Sequence, residues 1–157
     1  MAADPIQATT DEARATARRL IADATSGALG VLIDGRPMVT RVALVRDADG
    51  TPVTLVSDLA PHTGALRAQP FASLMIGEPG ERGDPLIHPR LTLQVCAAFV
   101  QKTEARKAQY LAQYPKATLY FDFADFHLVR LVPEEAFLNG GFGKAYRLTP
   151  ADLGVIA

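Results

Sequence analysis

A chain of 157 residues with 16 basic and 17 acidic side chains carries a formal charge of −1. That balance argues against nucleic acid or an anionic membrane surface as a partner, because both reward a basic excess. A hydrophobic share of 48% with 21% charge is that of an ordinary globular domain able to bury a core. We therefore expect one domain over residues 1–157, with about the first ten residues flexible. The single cysteine, Cys96, makes neither an internal disulfide nor a multi-cysteine zinc site, and its apolar strand context reads as a buried structural thiol. The segment Met1–Thr10 is polar and no stretch approaches ~18 apolar residues, so the expectation is a cytoplasmic protein without a membrane span.

Thr9 and Glu12 have capping-box spacing and open an amphipathic helix. Ala13, Ala17, Leu20, Ile21 and Ala24 share one face, while Arg14, Arg18 and Arg19 stay wet. Gly27 reads as the helix stop. Ala28–Ile33 then predicts a strand, Asp34-Gly35 a hairpin turn, and Pro37–Arg46 a second strand. Asp47-Ala48-Asp49-Gly50 turns into a third strand, Thr51–Ser57. A polar loop, Ser57–Thr63, runs into a short helix near His62–Ala68, and Phe71–Ile76 is a fourth strand.

Glu78–Pro89 is rich in Gly, Pro and charge, and reads as a surface loop. Arg90–Gln101 alternates cleanly: Leu91, Leu93, Val95, Ala97 and Phe99 oppose Arg90, Thr92, Gln94 and Cys96. Thr103 caps a helix that Pro115 halts. After an aromatic stretch, Leu119–Phe126, two closing strands read as Phe126–Val132 and Glu135–Leu138, followed by a glycine-rich turn at Asn139–Gly143. Six or seven strands with hairpin turns and three helices predict a mainly β (α+β) fold, an antiparallel barrel with flanking helices.

The loop Ser57–Thr63 concentrates hydroxyls, an imidazole and free backbone N–H groups at a helix start, where an anion such as phosphate can sit. Ser57, His62 and Thr63 are the candidate donors; the alternative is that the two hydroxyls only cap and turn. Arg41 interrupts an apolar strand, either as a ligand contact or on a solvent-facing edge. The stripe Arg90, Thr92 and Gln94 is a solvated face unless it lines a cofactor. The histidines at 62, 88 and 127 lack the spacing of a helical metal pair. Neither a nucleophile elbow, a P-loop nor a dinucleotide fingerprint occurs. Gly140-Gly141-Phe142-Gly143 is a plain turn or a place where backbone approaches a flat ligand.

Taken in order, RRLIADATSGALGVLI, GRPMVTRVALV, SDLAPHTGALRAQPFASLMI, GDPLIHPRLTLQVCAAFV, EARKAQYLAQYP and PEEAFLNGGFGKAYRL resemble the FMN-binding split-barrel superfamily of pyridoxamine 5′-phosphate oxidase-like proteins. Within it they look most like the haem-utilisation (HugZ-like) branch. The likeness covers roughly residues 14 to 148. It implies a split barrel and a homodimer with FMN in grooves between subunits. It also implies that Thr40, Arg41 and Val42 lie along the flavin, and that Val56, Ser57, His62 and Thr63 hold the ribityl chain and phosphate. Arg90 matches a cofactor-reaching position. Asp122–Phe123 and Gly141, Phe142 and Gly143 match segments that approach from the second subunit.

The chain departs from the oxidases of that superfamily in having Thr40 in place of an arginine and Pro61-His62 in place of an Arg-Lys pair. It departs from haem-utilisation relatives in having no histidine after His127. The expected function is an FMN-dependent oxidoreductase acting on a small molecule or haem. The alternatives are a non-enzymatic flavin- or haem-binding protein, and a split barrel that has lost its cofactor.

Overall fold

The computed structural model describes residues 5–155. Three helices, α1 (Asp11–Asp23), α2 (Pro61–Ala68) and α3 (Glu104–Gln113), flank one nine-stranded sheet. Its strands are β1 (Ile6–Gln7), β2 (Ser26–Ile33), β3 (Arg36–Ala43), β4 (Val45–Arg46), β5 (Pro52–Ser57), β6 (Phe71–Ile76), β7 (Arg90–Val100), β8 (Phe126–Asn139) and β9 (Ala145–Leu148). Beyond the expected strands stand two two-residue pieces, β1 and β4, and the terminal strand β9. Ile6 and Gln7, within the stretch expected to be flexible, pair in parallel with Ala145 and Tyr146.

The hydrogen-bonded path runs β3-β2-β6-β7-β8 and continues through β5 to β4. Its two ends, β3 and β4, are halves of one bent strand broken at Leu44, and β3 also lies beside β5. The sheet thus curls back on itself, although β3 hydrogen-bonds to β2 alone and remains an edge strand.

Alternation decides what each strand buries. Leu29 and Val31, Leu74 and Ile76, Leu91, Leu93 and Val95, and Val129 and Leu131 turn into one interior core, which α1 and α2 join through Ala17, Ile21, Ala65 and Leu66. Each fully buried aliphatic side chain contributes about 1.5–3 kcal/mol. The reverse faces of β5 and β8 meet α3 in a second cluster of Val53, Leu128, Tyr110 and Phe121. The alternation expected of β7 is the one observed, with Cys96 half-buried on the outer face rather than inside.

Four local expectations change. Thr10, not Thr9, caps α1, accepting from the Ala13 N–H, while the Thr9 hydroxyl donates to the Arg147 carbonyl. Gly27 lies inside β2 instead of stopping a helix. A Cβ there would come within 2.8 Å of the Leu74 side chain and 2.9 Å of Leu44, so glycine lets three elements close on one another. The expected strand Pro37–Arg46 breaks at Leu44 into β3 and β4. The two closing strands are one, β8: Pro133 does not divide it, because the register shifts opposite Gln94 and Val95 and the strand bulges there.

Candidate functional site

The polar loop leaves β5 at Ser57 and enters α2 at Pro61. Ser57 organises it: its carbonyl accepts from the Ala60 N–H and from the Thr63 hydroxyl (2.5 Å), and its Oγ accepts from the Leu59 N–H. Thr63 is 1% exposed, so its hydroxyl braces the loop from within. His62 is half-buried, and burial pushes its pKa below the usual imidazole value, which keeps the ring neutral near pH 7. Thr10 and Thr103 cap the other two α-helices with side-chain oxygens, whereas Ala60 offers α2 none. The first-turn N–H groups of α2 therefore meet no side-chain acceptor, the ordinary condition of an anion-receptive helix start.

The flank of this loop holds a cluster that spacing alone did not reveal. His127 Nε2 lies 2.8 Å from Asp58 Oδ1, Arg67 reaches the same oxygen at 3.9 Å, and the Arg67 guanidinium sits 4.2 Å over the Phe99 ring. Asp58, Arg67, Phe99 and His127 come from four separate elements. The signal in the sequence was the pairing of Val56 with His127, visible only once β5 and β8 are set side by side.

Thr40, Arg41 and Val42 lie on β3. Val42 is buried, and Arg41 is exposed on an edge strand with no ion-pair partner among the described residues. Thr40 and Arg41 line a groove of about 280 Å³ with Ala28, Met75 and Glu78. Along the same outer face, Leu32, Val39, Phe71 and Met75 form an apolar strip, with Val39 68% exposed. Pairing of Gly30 with both Val39 and Ser73 sets β3, β2 and β6 side by side beneath these residues. A wider groove of about 840 Å³ extends it towards Gln94, Glu134 and Arg147.

Arg90 sits at the start of β7, its backbone beside Gly77 of the smaller of these grooves, and it donates to the Leu86 carbonyl and lines a further groove of about 170 Å³ with Asn139 and Tyr146. Beside it is the loop Gly140–Gly143, where Phe142 is 97% exposed. Gly141 has φ 122°, and a Cβ there would lie 3.2 Å from the Ile87 carbonyl, so only glycine fits this contact. Val56, Ser57, His62 and Thr63 are thus together, Thr40–Val42 share one strand, and Arg90 with Gly141, Phe142 and Gly143 forms a third group. The length of β7 separates that third group from the stretch of β8 that pairs with the loop-bearing strand β5. Among the described residues no group of three or more His, Cys, Asp or Glu is placed to hold a metal ion, and no helix is long and apolar enough to cross a membrane.

Residues 8–153 match the family described as CREG, beta-barrel. The chain is 36% identical over 115 residues to the non-canonical heme oxygenase HOZ, chloroplastic, of Arabidopsis thaliana; the match takes in 72% of this chain and 35% of that protein's length. It is 31% identical over 125 residues to the heme oxygenase HutZ of Vibrio cholerae, over 76% of this chain and 70% of that one. A solved heme binding protein from Mycobacterium smegmatis superposes with a TM-score of 0.81 at 30% identity, covering 90% of this chain and 60% of its own. The chain belongs to the CREG β-barrel family and has the split-barrel fold of pyridoxamine 5′-phosphate oxidase-like proteins, with haem-utilisation proteins among its relatives.

Proposed function

We propose that the chain is a single-domain, haem-binding protein of the haem-utilisation type, acting as a homodimer with its ligand between two copies. The observation that supports this most is the uncovered apolar strip of Leu32, Val39, Phe71 and Met75 with the unpaired Arg41 on its edge. A flat apolar strip suits the body of a macrocycle, and a free guanidinium suits its carboxylate arms. Two of the relatives above are heme oxygenases, which favours the same ligand. Bound haem would supply oxygen and electron chemistry at its iron; this chain would supply binding, orientation and exclusion of water.

A second reading is an FMN-binding flavoprotein, and the uncapped first turn of α2 favours it. Thr40, Arg41 and Val42 would then lie along the flavin, with Val56, Ser57, His62 and Thr63 at the ribityl chain and phosphate. Arg90, Gly141, Phe142 and Gly143 would come from the other copy. Fixed positive charge at this phosphate site is low because His62 is kept neutral, and the Thr63 hydroxyl, committed to Ser57, is one donor fewer. In this second reading the phosphate of the ligand ends at the loop between β5 and α2.

The purified protein titrated with hemin and, separately, with FMN tests both. An intense band near ~400 nm that stays with the protein supports haem, and bands near ~450 and ~375 nm support FMN. A protein that retains neither overturns both readings. Arg41→Ala is expected to weaken the ligand that binds by about tenfold, the loss of one charge-assisted contact. Unchanged affinity removes Arg41 from the site.

A further inference from the structure

We propose that Glu134 is a specificity-determining residue that keeps carboxylate arms away from the β8 end of the wide outer groove. The groove then accepts a flat macrocycle whose acidic arms all leave by one edge. The inference deepens the haem reading above and rests on it. In a regular strand successive side chains point to opposite faces, so two neighbouring glutamates do not share one. The β8 bulge changes this: Gln94 pairs with Glu135 and Val95 with Pro133, which leaves Glu134 as the extra residue between them. Pro133 and Ala136 on either side are buried. Glu134 and Glu135 therefore both face outward, and both line the groove with Leu32, Phe71 and Gln94.

The two carboxylates are not equivalent. Glu135 is committed to Arg147, whose Nε lies 2.9 Å from it, and the same guanidinium sits 5.3 Å over the Phe137 ring. Glu134 is exposed and has no ion-pair partner among the described residues. The three charges leave this end of the groove with one net negative charge. At the β3 end the guanidinium of Arg41 is unpaired, and Glu78, which lines the same small groove, makes no ion pair with it. A macrocycle with both carboxylates on one edge can direct them to Arg41 and its apolar edge to Glu134. One with carboxylates on every side must bring one of them against Glu134, and repulsion of the wrong ligand is itself a source of specificity. Two like charges about 6 Å apart at an effective dielectric near 60, as suits an exposed side chain, change affinity about fivefold.

The test compares zinc protoporphyrin, with two carboxylates on one edge, and zinc coproporphyrin, with four spread round the ring. Affinities are read by absorbance titration at low ionic strength in the wild type, Glu134→Gln and Glu134→Lys, with thermal melts as the check on folding. The expected result is a wild-type preference for the protoporphyrin that falls about fivefold in Glu134→Gln and further in Glu134→Lys. Protoporphyrin affinity itself should change less than twofold in Glu134→Gln. Added salt should shrink the Glu134-dependent part of the preference, because an exposed charge is screened. A preference of equal size in the wild type and both variants overturns the role of Glu134 and leaves the haem reading standing, since the protoporphyrin still binds. A protein that binds neither porphyrin overturns the haem reading and this inference with it.

Discussion

Placing two carboxylates on the outer strip, Val39→Glu with Phe71→Glu, is expected to turn the proposed dimer into a folded monomer that binds neither haem nor FMN. Both side chains point away from the interior core, so their replacement leaves Leu29, Val31 and Leu74 in place and the barrel intact. In a two-fold dimer each substitution appears twice. Four apolar side chains at about 1.5–3 kcal/mol each amount to roughly 6–12 kcal/mol. That is comparable to the whole free energy of a micromolar dimer, about 8 kcal/mol. Light scattering at micromolar concentration, with circular dichroism as the check on folding, reads the outcome. A wild-type monomer, or a double variant that stays dimeric, would remove the strip from the interface and with it the shared ligand groove.

Arg130→Ala is expected to cost about 3 kcal/mol of stability, because it strands carboxylates inside a partly buried network. The Arg130 guanidinium pairs with Asp47 and, at 2.6 Å, with Asp49, while Arg106 reaches Asp47 only at 3.8 Å. This network anchors the turn between β4 and β5, where Gln113 Nε2 also donates to the Arg46 carbonyl at 2.8 Å. For a chain of this length the expected fall in Tm is about 6–12 °C. Burial alone would raise the pKa of Asp49, but its hydrogen bonds to Arg130 and Thr51 outweigh burial and hold it below the ordinary carboxylate value. Its contribution is accordingly present above the unfolded pKa of about 3.9 and is lost as pH falls through the lower folded value. The wild type should lose stability below pH 4 more steeply than Arg130→Ala. Equal acid slopes, or a Tm within 2 °C of wild type, would show the network to be without consequence.

The order of strands and helices was readable in the sequence because it depends on local signals. The alternation of β7, the Asp34-Gly35 turn and the Thr103 cap each need only neighbours within a few residues. The turn shows why: Asp34 and Gly35 have φ 51° and 74°, the backbone that this residue pair tolerates in a tight hairpin. Where a local signal had a tertiary competitor it misled. Gly27 resembles a helix stop, but it is needed where Leu44 and Leu74 converge, and Pro133 resembles a strand end because the bulge that accommodates it is defined by its partner strand. Ser57 and Thr63 could be read as ligand donors or as capping residues, and the fold gives their hydroxyls to the loop itself.

By itself, then, the sequence determined a mainly β chain, which residues alternate inward, and the grouping of Ser57, His62 and Thr63 within one loop. Only the tertiary structure decided that β3 and β4 close the sheet, that Arg41 stands unpaired beside an apolar strip, and that Asp58 meets His127 from 69 positions away in the sequence. Propensity and pattern act over one turn of helix or one hairpin. Which distant strands pair, and which charges are left facing each other, is settled by the shared burial of a core to which every element contributes.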